Sequence, residues 1–307
     1  MSDEGTQTRC GFAAVLGAPN AGKSTLVNAA VGTKVSIVTH KVQTTRARVM
    51  GICLRDHSQI VFVDTPGIFA PRRRLDRAMV AAAWQGANDA DAVLLLVDAK
   101  RGPSDETTAI IKGLKKNEKP CILVLNKVDL VAKPVLLDLA ARLGGEKLPS
   151  GDSLFAQVFM ISALEGEGVD DLVAYLAEEV APGPWMFPED QVSDMPLRLL
   201  AADVTREKIL LQIHKEIPYK ITVETESWTE NPDGSARVDQ IIFVERDTHK
   251  AMVLGKGGAK IKRIGADARK DLEDMLDRRV HLFLRVKLKS WQDDPARYRE
   301  WGLDFQA

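Results

Sequence analysis

The octapeptide Gly17-Ala18-Pro19-Asn20-Ala21-Gly22-Lys23-Ser24 constrains this chain more than any other stretch of it. An apolar, strand-like run from Phe12 to Leu16 leads into it, and a helical pattern leaves it. A strand that turns through glycines straight into a helix aims backbone N–H groups at one spot before the helix N-terminus, where the dipole also favours an anion. Phosphate suits this spacing: Lys23 is placed to reach the β- and γ-phosphates of a nucleotide, and the Ser24 hydroxyl to bind Mg2+. A fortuitous Gly-rich turn is the plain alternative, and the strand-to-helix context argues against it.

Three shorter motifs follow in order: Asp64-Thr65-Pro66-Gly67, Asn126-Lys127-Val128-Asp129 and Ser162-Ala163. Asp64 is a strand-end carboxylate fit to hold Mg2+ through water, and the Gly67 amide can approach a γ-phosphate with no Cβ in the way. Alone, that tetrapeptide is simply a good turn. The base is read from Asp129, whose carboxylate can accept from guanine N1–H and the exocyclic amine, where adenine offers no such pair of donors. Asn126 and Lys127 would brace this loop, and the Ala163 N–H beside Ser162 would meet guanine O6. A solvated strand-end turn is the bland reading of that tetrapeptide. Together the four motifs imply a site for GTP or GDP with Mg2+, lined by Gly17 to Thr25, Asp64 to Ile68, Asn126, Lys127, Asp129, Ser162 and Ala163.

Short apolar runs alternate with helical patterns from Phe12 to about Val180: Phe12 to Leu16, Ile60 to Val63, Ala92 to Val97, Cys121 to Leu125 and Val158 to Ile161. Such alternation predicts an α/β domain, a mostly parallel sheet with helices on both faces. Three runs are followed at once by a motif, which places the motifs at carboxyl ends of strands, where open α/β sheets bind ligands.

Composition bounds the rest. With 307 residues, 45% hydrophobic and 28% charged, the chain is long enough for two globular domains. A formal net charge of −1 means that any nucleic-acid affinity must come from a local patch. Three cysteines, Cys10, Cys53 and Cys121, have no metal spacing and read as reduced and buried, as in a cytoplasmic protein. His40, His57, His214, His249 and His281 are scattered, so no metal cluster is expected. The N-terminus lacks an apolar leader core, and the longest apolar run is too short to span a bilayer, so a soluble, unprocessed chain is expected.

The run Ala181-Pro182-Gly183-Pro184-Trp185-Met186-Phe187-Pro188 cannot continue a helix and marks a boundary. The expected division is a polar tail at 1–10, a nucleotide domain at 11–181, a linker at 182–194, and a smaller α+β domain with C-terminal tail at 195–307. In that second part a helix is expected over Pro196 to Ile213. Strands Tyr219 to Trp228 and Arg237 to Glu245 flank a turn at Asn231 to Gly234, a helix follows over Ala259 to Leu276, and a last strand spans Val280 to Val286. Gly255-Lys256-Gly257-Gly258 opens the second of these helices. A GXXG loop at a helix start lets a nucleic-acid backbone pack on bare glycines while lysines face phosphates. Lys256, Lys260, Lys262 and Arg263 cluster there, although Gly-rich turns before helices are also common. The run Arg72-Arg73-Arg74 reads as a solvated charge run, and the tail from Trp291 matches no chemical motif and is expected to pack on the second domain.

The chain resembles the translation-factor-related GTPases, and among them the bacterial Era family, over nearly its whole length. The resemblance is carried by the loop Gly17 to Ser24, the switch segment Gln43-Thr44-Thr45-Arg46, the two later loops, and a KH-type domain bearing the GXXG. It implies that Thr45, with Thr44 as the alternative, closes over Mg2+ and the γ-phosphate, making Lys23, Thr45 and the Gly67 amide the candidate catalytic groups. It also implies RNA binding by Gly255 to Gly258, Lys260, Lys262 and Arg263. The implied partner is the 3′ end of small-subunit ribosomal RNA, and the implied role is maturation of the small ribosomal subunit. A cytoplasmic monomer is expected, with loose peripheral membrane association described for the family. Ile68 stands where Ras-type enzymes keep a water-orienting glutamine, which implies slow hydrolysis or simply a packed residue. Asn20 matches an asparagine of potassium-activated relatives and is the candidate K+ ligand, with loop shaping as the alternative. The rival readings are an RNA-binding module with a vestigial nucleotide site, disfavoured by the complete set of motifs, and a P-loop ATPase, disfavoured by Asp129.

Overall fold

The structure, a computed structural model, describes residues 7–39, 41, 44–213, 220–292, 294–304 and 306. It divides into two compact units: one comprises the chain up to Ser36, Thr45–Asp194 and the C-terminal residues from Trp301, and the other Ile37–Thr44 and Met195–Glu300.

In the first unit, strands β1 (Arg9–Gly17), β2 (Val49–Arg55), β3 (Ser58–Asp64), β4 (Ala92–Asp98), β5 (Cys121–Asn126) and β6 (Phe155–Ile161) form one sheet in the order β2-β3-β1-β4-β5-β6. Every pairing is parallel except β2 with β3. Every residue of β3 and β5 is buried, which is why their middles, Ile60 to Val63 and Cys121 to Leu125, read as unbroken apolar runs. Neighbours alternate between two cores: Ala14, Leu16, Val63, Leu95 and Leu123 face one, and Ala13, Val15, Phe62, Leu94 and Val124 the other. Helices α1 (Lys23–Val31), α2 (Arg74–Asp89), α3 (Asp105–Lys116), α4 (Lys133–Gly144) and α5 (Val169–Glu179) belong to this unit. The arginine run proves to be a helix start: the Arg72 and Arg73 N–H groups donate to Asp76 Oδ2, each at 3.0 Å, opening α2.

Residues 182–194 are fastened to the sheet of the first unit. Gln59, fully buried, accepts from the Met186 and Phe187 N–H groups at 2.9 and 3.0 Å and donates to the Phe187 carbonyl at 2.8 Å. The Ile52 N–H donates to the Val192 carbonyl at 2.9 Å, so the free edge of β2 is covered.

The second unit holds α6 (Leu197–Gln212), β7 (Ile221–Glu230), β8 (Ala236–Val244), α7 (Asp247–Leu254), α8 (Ala259–Leu276), β9 (Val280–Leu288) and the short α9 (Pro295–Glu300). Its sheet runs β7-β8-β9, antiparallel then parallel. Tyr219, the expected start of the first strand, lies outside the described residues. The core packs Ala201, Val204 and Ile209 of α6 and Ile264, Ala268 and Leu272 of α8 with strand residues Ile221, Val238 and Ile242. The tail expected to pack on this unit divides: Trp291 and Tyr298 are buried, but residues from Trp301 group with the first unit. Among the described residues no helix is long and apolar enough to cross a membrane, and no group of three or more His, Cys, Asp or Glu side chains is placed to hold a metal ion. Burial pushes the Cys53 thiol up to about 11 and the Cys121 thiol up to about 12, which leaves both unreactive, while Cys10 is only partly buried.

Candidate functional site

Gly22 sets the start of α1. Its φ of 100° is a conformation that glycine adopts without penalty, and a Cβ there would lie 2.2 Å from Asn126 Nδ2. The next residue, Lys23, therefore enters the helix beneath the loop with its side chain buried. Its Nζ donates to the Gly17 and Ala18 carbonyls at 3.3 and 3.1 Å. Burial lowers its pKa to about 8, against the opposing pull of the Asp64 charge.

Asp64 ends β3 fully buried. Its Oδ2 accepts from Ser24 Oγ at 2.6 Å, Ser36 Oγ at 2.7 Å and Thr45 Oγ1 at 3.4 Å, while its Oδ1 is buried without a hydrogen-bond partner. Ser24 Oγ and Thr45 Oγ1 are themselves 2.9 Å apart. Burial raises the Asp64 pKa, opposed by hydrogen bonds from Ser24 and Ser36, the Lys23 charge and the Thr45 hydrogen bond. Three hydroxyls and one carboxylate, its second oxygen buried and unused, make an all-oxygen donor set of the kind that hard divalent cations take. Thr44 is turned elsewhere: its Oγ1 donates to the Lys41 carbonyl at 2.7 Å and lies 2.6 Å from Thr39 Oγ1. Gln43 lies outside the described residues. Ser36 carries no motif in the sequence, and only folding brings it to Asp64.

Thr65 Oγ1 donates to the Val15 carbonyl at 2.7 Å, and a Cβ on Gly67 would sit 3.1 Å from Pro19 Cα, so this turn lies tightly on the first loop. Ile68 is 5% exposed within the apolar core; it is a packed residue, and its side chain offers nothing to a water.

Asn126 ties three loops together. Its Nδ2 donates to the Ala21 carbonyl at 2.8 Å, and its Oδ1 accepts from the Lys127 and Ala163 N–H groups at 2.8 and 3.0 Å. The Ala163 N–H, expected to face a base oxygen, is thus engaged by Asn126. Lys127, at φ 67°, donates from Nζ to the Asn20 carbonyl at 2.8 Å and to Asp98 Oδ2 at 2.6 Å. Asp98 is a second residue without a motif; its register pairing with Asn126 across β4 and β5 brings it there. The Asp129 carboxylate is exposed, and Ser162 is fully buried, its Oγ accepting from the Glu165 N–H at 3.3 Å. Asn20 has φ 66°, and Pro19, Gly22 and Thr25 complete the loop and the first helical turn.

In the second unit, Gly255, Gly257 and Gly258 all have positive φ, at 70°, 59° and 78°. A Cβ on Gly255 would meet Lys260 Cβ at 2.7 Å, whereas Gly257 and Gly258 face open space. Lys256, Lys262 and Arg263 are exposed and Lys260 is half-buried; Val253 and Ile264 lie buried beneath them. The loop is a bare backbone surface ringed by cations, the form that suits a phosphodiester chain.

A family model described as a 50S ribosome-binding GTPase matches residues 12–127, and a KH-domain model matches 216–292. GTPase Era of Bradyrhizobium sp. (strain BTAi1) is 59% identical, covering 98% of this chain and 96% of that protein. GTPase Era of Brucella suis biovar 1 is 57% identical over the same shares. Among solved structures, an Aquifex aeolicus Era variant bound to GDP and AlF4− superposes with a TM-score of 0.88 at 36% identity, covering 96% of this chain and 99% of that one. Era in complex with MgGDPNP and nucleotides 1506–1542 of 16S ribosomal RNA superposes at 0.86 and 35% identity, with the same coverage.

Proposed function

The chain belongs to the Era family of GTPases and is a GTP hydrolase with a KH domain; from that premise we propose how its residues divide the work. The first unit hydrolyses GTP to GDP and phosphate. The second binds the 3′ end of small-subunit ribosomal RNA through the Gly255–Gly258 loop, in the maturation of the small ribosomal subunit. The observation that carries the nucleotide site is the convergence of Ser24, Ser36 and Thr45 hydroxyls on one oxygen of Asp64, with the other oxygen buried and unpartnered.

Ser24 and Thr45 would hold Mg2+ directly and Asp64 through water, and the ion, when bound, supplies positive charge to the β- and γ-phosphates. Lys23, already buried and aimed into the Gly17–Ala18 loop, adds a second positive charge. The Gly67 amide meets the γ-phosphate. Asp129 reads guanine from its exposed position, while Asn126 and Lys127 hold the loops that shape the base pocket. Ile68 leaves the attacking water to other groups, so the intrinsic rate is slow; Asn20 is the candidate ligand for a K+ that would assist. A monomeric, cytoplasmic protein divided at residues 182–194 belongs to the same reading, whereas peripheral membrane association rests on family resemblance alone.

Hydrolysis of GTP should require Mg2+, run faster in K+ than in Na+ at matched ionic strength, and survive excess ATP. Asp129→Asn should lose GTP and gain xanthosine triphosphate, because the 2-oxo group needs a donor where guanine needs an acceptor. Equal GTP affinity in both proteins would remove Asp129 from the site.

A further inference from the structure

Of the three hydroxyls that donate to Asp64, Ser36 alone has no part in the nucleotide reading. Its Oγ donates to Asp64 Oδ2 at 2.7 Å, beside the 2.6 Å bond from Ser24. Ser36 is 3% exposed, and Asn28 holds it by the backbone. Asn28 Oδ1 accepts from the Val35 and Ser36 N–H groups, each at 2.9 Å, and Asn28 Nδ2 donates to the Ser36 carbonyl at 2.8 Å. Gly32 makes this return of the chain possible. At φ 79° it ends α1, its N–H donating to the Asn28 carbonyl, and Val35 is then buried with Leu26, Val27 and Phe62. All of these residues lie in the first compact unit.

Asn28 stands four residues after Ser24 on α1, and positions four apart share a helix face. One face of one helix therefore serves Asp64 twice, directly through Ser24 and indirectly through Asn28 and Ser36. This double support settles the orientation of the carboxylate. The χ2 torsion of an aspartate is broad and roughly two-fold, so a single donor leaves the carboxylate plane free to rock. Two donors on Oδ2, one from the helix and one from the chain that follows it, fix that plane and leave Oδ1 as the oxygen without a partner. Ser24 and Thr45 are assigned to the cation itself. Ser36 is not, so its hydroxyl serves Asp64 alone.

We infer that Ser36, clamped by Asn28, is a positioning residue for Mg2+ that acts by orienting the Asp64 carboxylate. The inference rests on the role given to Asp64 above. Ser36 touches neither nucleotide nor cation in this account. Its loss should therefore raise the Mg2+ concentration that a nucleotide complex needs, while nucleotide affinity in the absence of Mg2+ stays the same.

The test measures GDP affinity of the full-length protein in EDTA and across a Mg2+ titration. It compares the parent with Ser36→Ala, Asn28→Ala and Asp64→Ala, and with Ser36→Ala combined with each of the other two. GDP is the probe because Thr45 is assigned to the ion together with the γ-phosphate, which GDP lacks, so the outcome does not depend on Thr45. Ser36→Ala should raise the Mg2+ concentration at half of the full gain in GDP affinity by about tenfold, the scale on which groups behind metal ligands act. Asn28→Ala should shift it in the same direction and add little to Ser36→Ala, because both changes release the same hydroxyl. In EDTA, Ser36→Ala should bind GDP as the parent does, and in the Asp64→Ala background it should add nothing. Three results would each overturn the inference: an unchanged Mg2+ requirement in Ser36→Ala, an EDTA affinity that falls by the same factor, as for a merely structural serine, or a loss that multiplies with Asp64→Ala. If the parent's GDP affinity ignores Mg2+, or Asp64→Ala leaves the requirement unchanged, the assignment of Asp64 fails first, a result distinct from failure of Ser36 alone.

Discussion

Lys23 and Asp64 are held in the folded chain against their preference as charged groups, and both for the same reason, loss of water. The Lys23 pKa falls to about 8 and that of Asp64 rises, burial being the first cause in each case. For Lys23 the sign is explicit: the unfolded chain binds more protons than the folded one between about 8 and the ordinary lysine value of 10.5. Its contribution to stability is therefore present above that window and is lost as pH falls through about 8. A polyphosphate beside the ammonium restores the reason to be charged. Binding of GDP at pH 8 should accordingly take up about half a proton, falling toward none at pH 6.5. Calorimetry in buffers of different ionisation enthalpy measures this directly, and a binding heat independent of buffer at pH 8 would show that Lys23 does not meet phosphate.

At the scale of elements, glycines at positive φ serve two purposes, and substitution separates them. Gly22 and Gly255 combine positive φ with neighbours at 2.2 and 2.7 Å from a would-be Cβ, whereas Gly257 has positive φ in open space. Gly22→Ala and Gly255→Ala should each cost more than about 2 kcal/mol, through strain plus overlap, and Gly257→Ala only about 1 kcal/mol. Denaturant unfolding would reveal the order; an equal loss at Gly255 and Gly257 would mean that the overlap is relieved cheaply. Both loops were legible in the sequence because their chemistry is written in contiguous residues. The helix Ala259–Leu276 was legible to the residue, since its apolar positions recur on one face. Strand β2 was not, because Val49–Arg55 contains Gly51 and owes its form to pairing with β3 and to cover from Val192. Helix α7 leaves no signal for another reason: Asp247–Leu254 is eight residues long and buries only Val253, too little to leave a period. Ser36 meets Asp64 and Asp98 meets Lys127 through spatial closeness alone, which one sequence does not record.

For the whole molecule, a net charge of −1 forbids a general attraction to RNA, so affinity must be local and must carry a countable salt dependence. Lys256, Lys262 and Arg263 are exposed beside the glycine loop and Lys260 is half-buried. If all four meet phosphates of a single strand, the logarithm of affinity should fall with the logarithm of salt at a slope of about −3, since each contact contributes about −0.7. Lys262→Ala should reduce that slope by about 0.7 without altering which RNA is preferred, because a phosphate contact positions the chain and carries no base readout. Lys256→Asp with Gly257→Asp places bulk and negative charge where the backbone must come closest, and RNA binding should collapse. GTP binding should survive that double change, because the glycine loop and the Asp64 cluster fall in different compact units. A double variant that holds RNA as tightly as the parent would make Gly255–Gly258 an ordinary turn. A variant that lost GTP as well would show that the glycine loop supports the fold of the chain as a whole, and the division of labour between the two units would have to be withdrawn.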